Sequence, residues 1–353
     1  EAEPKLQRAL ELRRSAAGVP TADMATSLGE LADLYLDLAR YEAAEAAINE
    51  ALPLLDGTDQ AGRLHLASRL TDLGSVYRRQ GFYDKADPQY RRALEIRLGE
   101  LGPRSTEVAA SYNSLAILSW NRGRFAEAEQ LYLEALAIWE GAYGQDHADV
   151  AKGLNNLALL YHHQKRYAEA QAMYTRAVGI YERILGAEHP RTATAINNLA
   201  LVIHEQGRLS EAEPLYLRAL AIREKVLGPG HPDVAQTRNN LGNLRRDQKR
   251  WPEAQAEYDQ ALSIRRAALG EDHADVGWTL RDIGRLLREE GRPREADAYL
   301  GRALANFRVS LGVDHPDLAE FLDDYALVLR DLGRPAGADS MRQWADRVRP
   351  AAR

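Results

Sequence analysis

Nine histidines, 52 carboxylates and no cysteine are the stock of metal ligands and proton carriers in this chain of 353 residues. Without a thiol there is no thiolate metal site, no cysteine nucleophile and no disulfide framework. Five of the histidines, His147, His189, His231, His273 and His315, stand 42 residues apart. If that interval is one structural unit, neighbouring histidines are separated by about a helix diameter, roughly 10 Å, whereas the ligands of one ion converge to within about 2 Å of it. They read as helix-start residues instead. His162, His163 and His204 lie closer to a binding face, but His204-Glu205 runs on to Arg208 where a zinc-binding HExxH motif needs its second histidine. The segment GPGHP at residues 228 to 232 lacks the lysine of a phosphate loop and follows no strand, and no base stands beside any serine. No metal, cofactor or catalytic group is expected.

The chemistry left is that of binding. The column Glu30, Asp72, Ser114, Asn156, Asn198, Asn240, Asp282 and Asp324, again stepping by 42, has amides in the middle and carboxylates at the ends. A side-chain amide donates and accepts, so a ladder of amides can hold an extended peptide backbone of any sequence. The adjacent Asn155, Asn197 and Asn239 can do the same, or can bond a neighbouring helix, and the spacing leaves open which member of each pair faces a ligand. Beside them Ile117, Leu159 and Leu201 make an apolar floor. Arg78, Trp120, His162, His204, Arg246, Arg288 and Arg330 form a basic and aromatic column whose alternative is a solvated helix edge.

Those columns need helices. In the unit from His147, Val150, Leu154, Leu157, Ala158 and Tyr161 fall at i, i+4, i+7, i+8 and i+11, the buried stripe of one amphipathic helix. Lys152, Asn155, Asn156, Leu159, His162 and His163 mark a second stripe beside it. After the turn at Lys165-Arg166, Ala170, Tyr174, Ala177, Tyr181 and Ile184 give the stripe of an antiparallel partner. The alanine column Ala44, Ala86, Ala128, Ala170, Ala212, Ala254, Ala296, Ala338 has no exception, and neither has the column from Ala51 to Ala345. A fixed period in this range marks a solenoid. Eight units therefore begin at residues 21, 63, 105, 147, 189, 231, 273 and 315 and are expected to form one continuous solenoid over 21–353, with 1–20 the second half of a truncated repeat. Pro190, Pro232 and Pro316 suit the first position of the first helix. Gly144, Gly186, Gly228, Gly270 and Gly312 suit a left-handed residue ending the second. Pro4, Pro88 and Pro214 are expected near the start of the second helix. Pro53 predicts a shorter helix and a looser loop at 53–62, and Arg342 and Asp346 suit an uncovered last helix.

The small residue of the first helix and the alanines and aromatic of the second, Ala158, Ala170, Tyr174 and Ala177, resemble the tetratricopeptide repeat (TPR). The 42-residue period, with LNNLA or INNLA followed by RALAIREKVLGPGHPDVA, is similar to the kinesin light chain type of repeat. The resemblance covers nearly the whole chain. It implies an all-α, right-handed superhelical solenoid of stacked antiparallel helix pairs that binds peptides or proteins in its groove. By the same resemblance Asn156, Asn198 and Asn240 are the amides that contact bound peptide.

The expected function is a non-enzymatic scaffold holding a partner segment in that groove. The alternative is a regulatory or sensing arm of a larger multidomain protein, an arrangement that the start of the chain inside a repeat favours. The groove residues expected are Lys152, Asn156, Leu159, His162, His163, Asn198, Leu201, Asn240, Asn243, Arg246, Arg285 and Arg288. Since Arg246, Arg285 and Arg288 crowd the later units, the partner expected is an acidic protein or peptide segment with an apolar anchor, or another domain of the same polypeptide. A net charge of −6 gives no basic stripe for nucleic acid. No apolar run is long enough to span a membrane and no signal pattern opens the chain, so a soluble, cytoplasmic protein is expected.

Overall fold

The computed structural model describes residues 2–15, 21–55 and 59–349. These form 17 helices and, among the described residues, no strand. One helix, α1 (Ala2–Ser15), precedes a run of pairs. The first helices of the pairs are α2 (Thr21–Asp37), α4 (Gln60–Arg79), α6 (Thr106–Asn121), α8 (Ala148–His163), α10 (Pro190–Glu205), α12 (Pro232–Asp247), α14 (Ala274–Glu289) and α16 (Leu318–Asp331). The second helices are α3 (Tyr41–Leu55), α5 (Tyr83–Leu101), α7 (Phe125–Tyr143), α9 (Tyr167–Leu185), α11 (Leu209–Leu227), α13 (Trp251–Leu269), α15 (Pro293–Ser310) and α17 (Pro335–Val348).

The chain divides into two compact units, Glu1–Ile180 and Tyr181–Arg353, with the boundary inside α9. In the first unit α2 packs on α3, α4 on α5 and α6 on α7, each second helix rests on the next first helix, and α1 covers α2. The second repeats the scheme with α10 on α11, α12 on α13, α14 on α15 and α16 on α17. First helices also touch one another along each stack: α2 and α4, α4 and α6, α10 and α12, α12 and α14, α14 and α16.

The alanine columns explain the close pairing. All eight residues from Ala44 to Ala338 are 0% exposed, and the second column from Ala51 to Ala345 is at most 1% exposed. A methyl group is all that fits there, and Tyr90, Tyr132, Tyr174, Tyr216 and Tyr258 fill the space beside it, each buried. Arginine enters this core as well. Arg223 of α11 donates to the Thr237 hydroxyl (2.7 Å) and the Asp233 carbonyl (2.8 Å) of α12, and Arg265 of α13 to Thr279 (2.6 Å) and Asp275 (3.0 Å) of α14. Burial lowers the pKa of both guanidinium groups.

Helix ends follow the sequence with three corrections. His147, His189, His231 and His273 are N-caps, each accepting the backbone N–H two residues on at 3.1–3.2 Å through Nδ1. Pro190 and Pro232 open α10 and α12. Pro316 does not open α16, which begins two residues later, because the turn before it is closed by three-residue bonds, Leu318 N–H to His315 and Ala319 N–H to Pro316. Gly144, Gly228 and Gly270 have φ of 76, 86 and 89° but ψ of −171, 153 and 162°, so they end their helices in an extended conformation open to glycine alone rather than in the left-handed one. Positive φ recurs in the turn between paired helices, where Ala39 (54°), Lys165 (60°) and Lys249 (61°) adopt it without being glycine. Pro88 and Pro214 lie inside α5 and α11, each the sixth helical residue, so the second helices begin earlier than proline chemistry suggested. With Pro53 near its end, α3 has 15 residues against 19 in α5, α7, α11 and α13, as expected. Residues 56–58, within the segment where a looser loop was expected, lie outside the described residues. In α17 Arg342 is half-buried and Asp346 exposed.

Candidate functional site

In the second unit the exposed face of α10, α12 and α14 opens into a cleft of about 680 Å³. Five of the expected groove residues line it: Leu201, Asn240, Asn243, Arg246 and Arg285. Asn198 and Arg288, on α10 and α14, are half-buried and stand outside its lining. Lys152, Asn156, Leu159, His162 and His163 belong to α8 in the first unit. There Lys152 and His163 are exposed, and the His163 ring lies between Trp120 (6.2 Å) and Phe125 (5.0 Å).

The asparagine ladder is partly made before any ligand arrives. Asn156 donates to Asn113 of α6 at 2.9 Å, and Asn240 to Asn197 of α10 at 3.2 Å. The buried Asn239 donates to Asp282 of α14 at 2.6 Å, and in the next rung Arg281 donates to Asp324 of α16 at 2.6 Å. Each bond joins residues 43 apart, one repeat and one residue. In α10 and α12 the first asparagine of the pair is buried and the second half-buried. Asn156 and Asn240 have therefore each spent a donor on the stack.

The cationic stripe is neutralised in the same way. Arg246 is 7% exposed and binds Asp247 through Nε (3.1 Å) and a terminal nitrogen (2.8 Å). Burial acts to lower its pKa, but Tyr258, Asp247 and Asp282 raise it overall. Arg288 binds Asp331 at 2.6 Å. Arg285 is the most loosely held, 3.8 Å from Asp324, and one third of its side chain is exposed. Asp247 also meets His204 Nε2 at 2.8 Å. Burial would push the Asp247 carboxyl up, yet the His204 hydrogen bond and the Arg246 charge hold it below the usual carboxylate range.

Several lining residues escaped the sequence reading. Trp278 of α14 rests on Phe307 at 4.5 Å and carries Arg281 over its ring at 5.5 Å. It occupies the column of Lys152, so following that column to the later units would have found it. Asp247 stands in the column of His163 in the same way. Arg281 replaces the first asparagine of the pair, whose role the spacing left open.

Comparison with known proteins bears on the helix pairs and their 42-residue step. The tetratricopeptide repeat profile matches residues 66–141, 107–183, 149–225, 191–248 and 233–308, and a second one matches 25–53. The chain belongs to the tetratricopeptide-repeat family. No curated protein matches it. Solved structures similar to this TPR chain include BtubC (BKLC) from P. vanneervenii, 25% identical over 71% of this chain and 92% of that one, with a TM-score of 0.54. A putative kinesin light chain from Podosopora anserina is 23% identical over 59% of this chain and 98% of its own, with a TM-score of 0.51. The apo quorum sensor NprR from B. thuringiensis is 14% identical over 99% of both, with a TM-score of 0.67. The TPR repeats here are thus similar to those of kinesin light chain. Among the described residues no three acidic or histidine side chains converge so as to hold a metal ion, and no helix is long and apolar enough to cross a membrane.

Proposed function

We propose that this TPR protein is a non-enzymatic, cytoplasmic scaffold whose partner segment lies in the cleft of α10, α12 and α14. The observation that carries the reading is the convergence there of apolar surface, Leu201 and Trp278, with polar groups that retain bonding capacity, Asn240, Asn243 and Arg285. Such a mixture, an apolar anchor site ringed by a few placed polar groups, is what a peptide-recognition site requires. Arg285, held at 3.8 Å rather than bonded, is the cation that an acidic side chain of the partner reaches most easily. Within the second unit Asn198 on α10 and Arg288 on α14 extend the same face; on α8 of the first unit Lys152, Asn156, Leu159, His162 and His163 offer polar and apolar groups of the same kinds. A peptide array probed with the whole chain tests this. Bound peptides should carry acidic residues beside an apolar one, their affinity should fall with salt, and Arg285→Glu should weaken them tenfold or more. Binders that ignore Arg285→Glu and salt would remove the acidic preference, and no binder at all would remove the peptide reading.

A further inference from the structure

The buried tyrosines of the second helices differ in how their hydroxyls are satisfied. Tyr90 Oη lies 3.0 Å from Ser75 Oγ, and Tyr258 Oη donates to Asn243 Oδ1 at 2.8 Å. Tyr216 has Leu201 at the matching place, 42 residues before Asn243. Its ring is 0% exposed and its Oη has no hydrogen-bond partner. The neighbouring His204, 8% exposed, stands edge-on to that ring at 6.2 Å. Its Nε2 is engaged by Asp247, and its Nδ1 is also buried without a partner. Both residues line the cleft. Leaving a buried polar atom unbonded is costly, and two such atoms on residues that line one cleft call for a common complement.

We propose that this pocket receives a carboxamide, the side chain of a glutamine or asparagine in the partner. In the tautomer with Nε2–H donating to Asp247, Nδ1 carries no hydrogen and is an acceptor, while the phenol presents a donor. A primary amide offers N–H to His204 Nδ1 and C=O to Tyr216 Oη. A carboxylate has no hydrogen for Nδ1, and an ammonium has no acceptor for the phenol. Burial raises the Tyr216 pKa well above its ordinary value, which keeps the phenol a donor. The proposal rests on the cleft being the binding site, but its test needs no peptide.

Propionamide is titrated into the whole chain labelled with ¹⁵N-histidine, and the Nδ1 resonance of His204 is followed by NMR. A probe of this size is expected to bind at about millimolar concentration or more weakly. The expected result is a saturable shift for propionamide that propionate, butanone and 1-propanol do not reproduce. Tyr216→Phe, which keeps the ring and removes the unpartnered hydroxyl, should weaken it about fivefold or more. Leu201→Asn, which supplies Tyr216 with an internal partner as Asn243 does for Tyr258, should weaken it likewise. An equal response to 1-propanol would mean that a hydroxyl or a water fills the site, and no saturable shift would mean that nothing does; either overturns the proposal. Failure of the peptide array with a propionamide response intact would instead count against the peptide reading alone.

Discussion

Gly242 offers a quantitative test of how tightly the helix pairs are matched. A Cβ built there would lie 2.5 Å from Tyr258 Cε1 and 2.7 Å from Cδ1, and the ring cannot retreat freely because its hydroxyl is bonded to Asn243 at 2.8 Å. Gly242→Ala gains about 1 kcal/mol of helix propensity but overpacks a buried ring, at about 1–3 kcal/mol, and strains a hydrogen bond of about 1 kcal/mol. A net loss of about 1–2 kcal/mol is expected. Gly301 in α15 is the internal control, since a Cβ there meets only Tyr325 Oη at 3.6 Å, and Gly301→Ala should gain about 0.5–1 kcal/mol. The two variants should thus melt about 5–10 °C apart by circular dichroism at 222 nm. Ala200 is followed by Leu201 opposite the unbonded Tyr216, whereas Gly74 is followed by Ser75 and Gly242 by Asn243, each opposite a bonded tyrosine. The double change Gly242→Ala with Asn243→Leu copies the Ala200-Leu201 arrangement and releases the ring, so its loss should be smaller than the sum of the two single losses. Additive losses in that cycle, or a Gly242→Ala protein as stable as the parent, would refute the account of ring approach.

Lys249 holds φ at 61°, so Lys249→Gly should raise stability by about 1 kcal/mol in urea unfolding. His231→Ala should lose about 0.5–2 kcal/mol with its cap, and His231→Asn should retain most of it. Burial raises the half-buried Asp72 carboxyl to about 6, against the lowering effect of Arg69. A carboxyl raised on folding disfavours the folded state above that pH, and the penalty fades as the pH falls to its unfolded value near 4. Asp72→Asn should therefore stabilise the first unit by about 1–2 kcal/mol at pH 7.5 and by nothing below about pH 4, read as the difference from the parent in hydrogen exchange of α4.

Much of the fold was legible because a repeated column reports one environment many times over. An alanine that recurs eight times without exception cannot be a surface accident, and all eight are fully buried. Four of the five spaced histidines were legible as helix starts because their spacing ruled out a shared ion, whereas α16 begins at Leu318, beyond His315. The groove was less legible. A repeated asparagine has the same neighbours in sequence at every rung, so its spacing cannot say whether its hydrogens point to solvent or to the helix before it. The arginines gave a charge but hid their counterions, since Asp331 lies a whole repeat and one residue beyond Arg288. Trp278 was hidden differently, by occupying a column that is lysine at 152, glutamine at 236 and threonine at 194.

The offset of one residue has a physical meaning for function. Asn113 with Asn156, Asn197 with Asn240, His204 with Asp247, Arg281 with Asp324 and Arg288 with Asp331 are all pairs 43 apart. Residues one position apart on a helix differ by about 100° in direction, so each rung joins the edge of one first helix to the facing edge of the next. The polar groups best placed to grip a ligand are then also those best placed to fasten the repeats, and in most rungs the stack uses them. Recognition has to come from the places where the pattern leaves something over. In the cleft of α10, α12 and α14 those are the second amide hydrogen and the acceptor of Asn240, the amide hydrogens of Asn243, the loosely held Arg285, and the unpartnered Tyr216 hydroxyl and His204 Nδ1. Leu201→Asn should therefore cost the site its selectivity while leaving the helix pairs intact, since what recognises a partner here is the bonding capacity that the stack does not use.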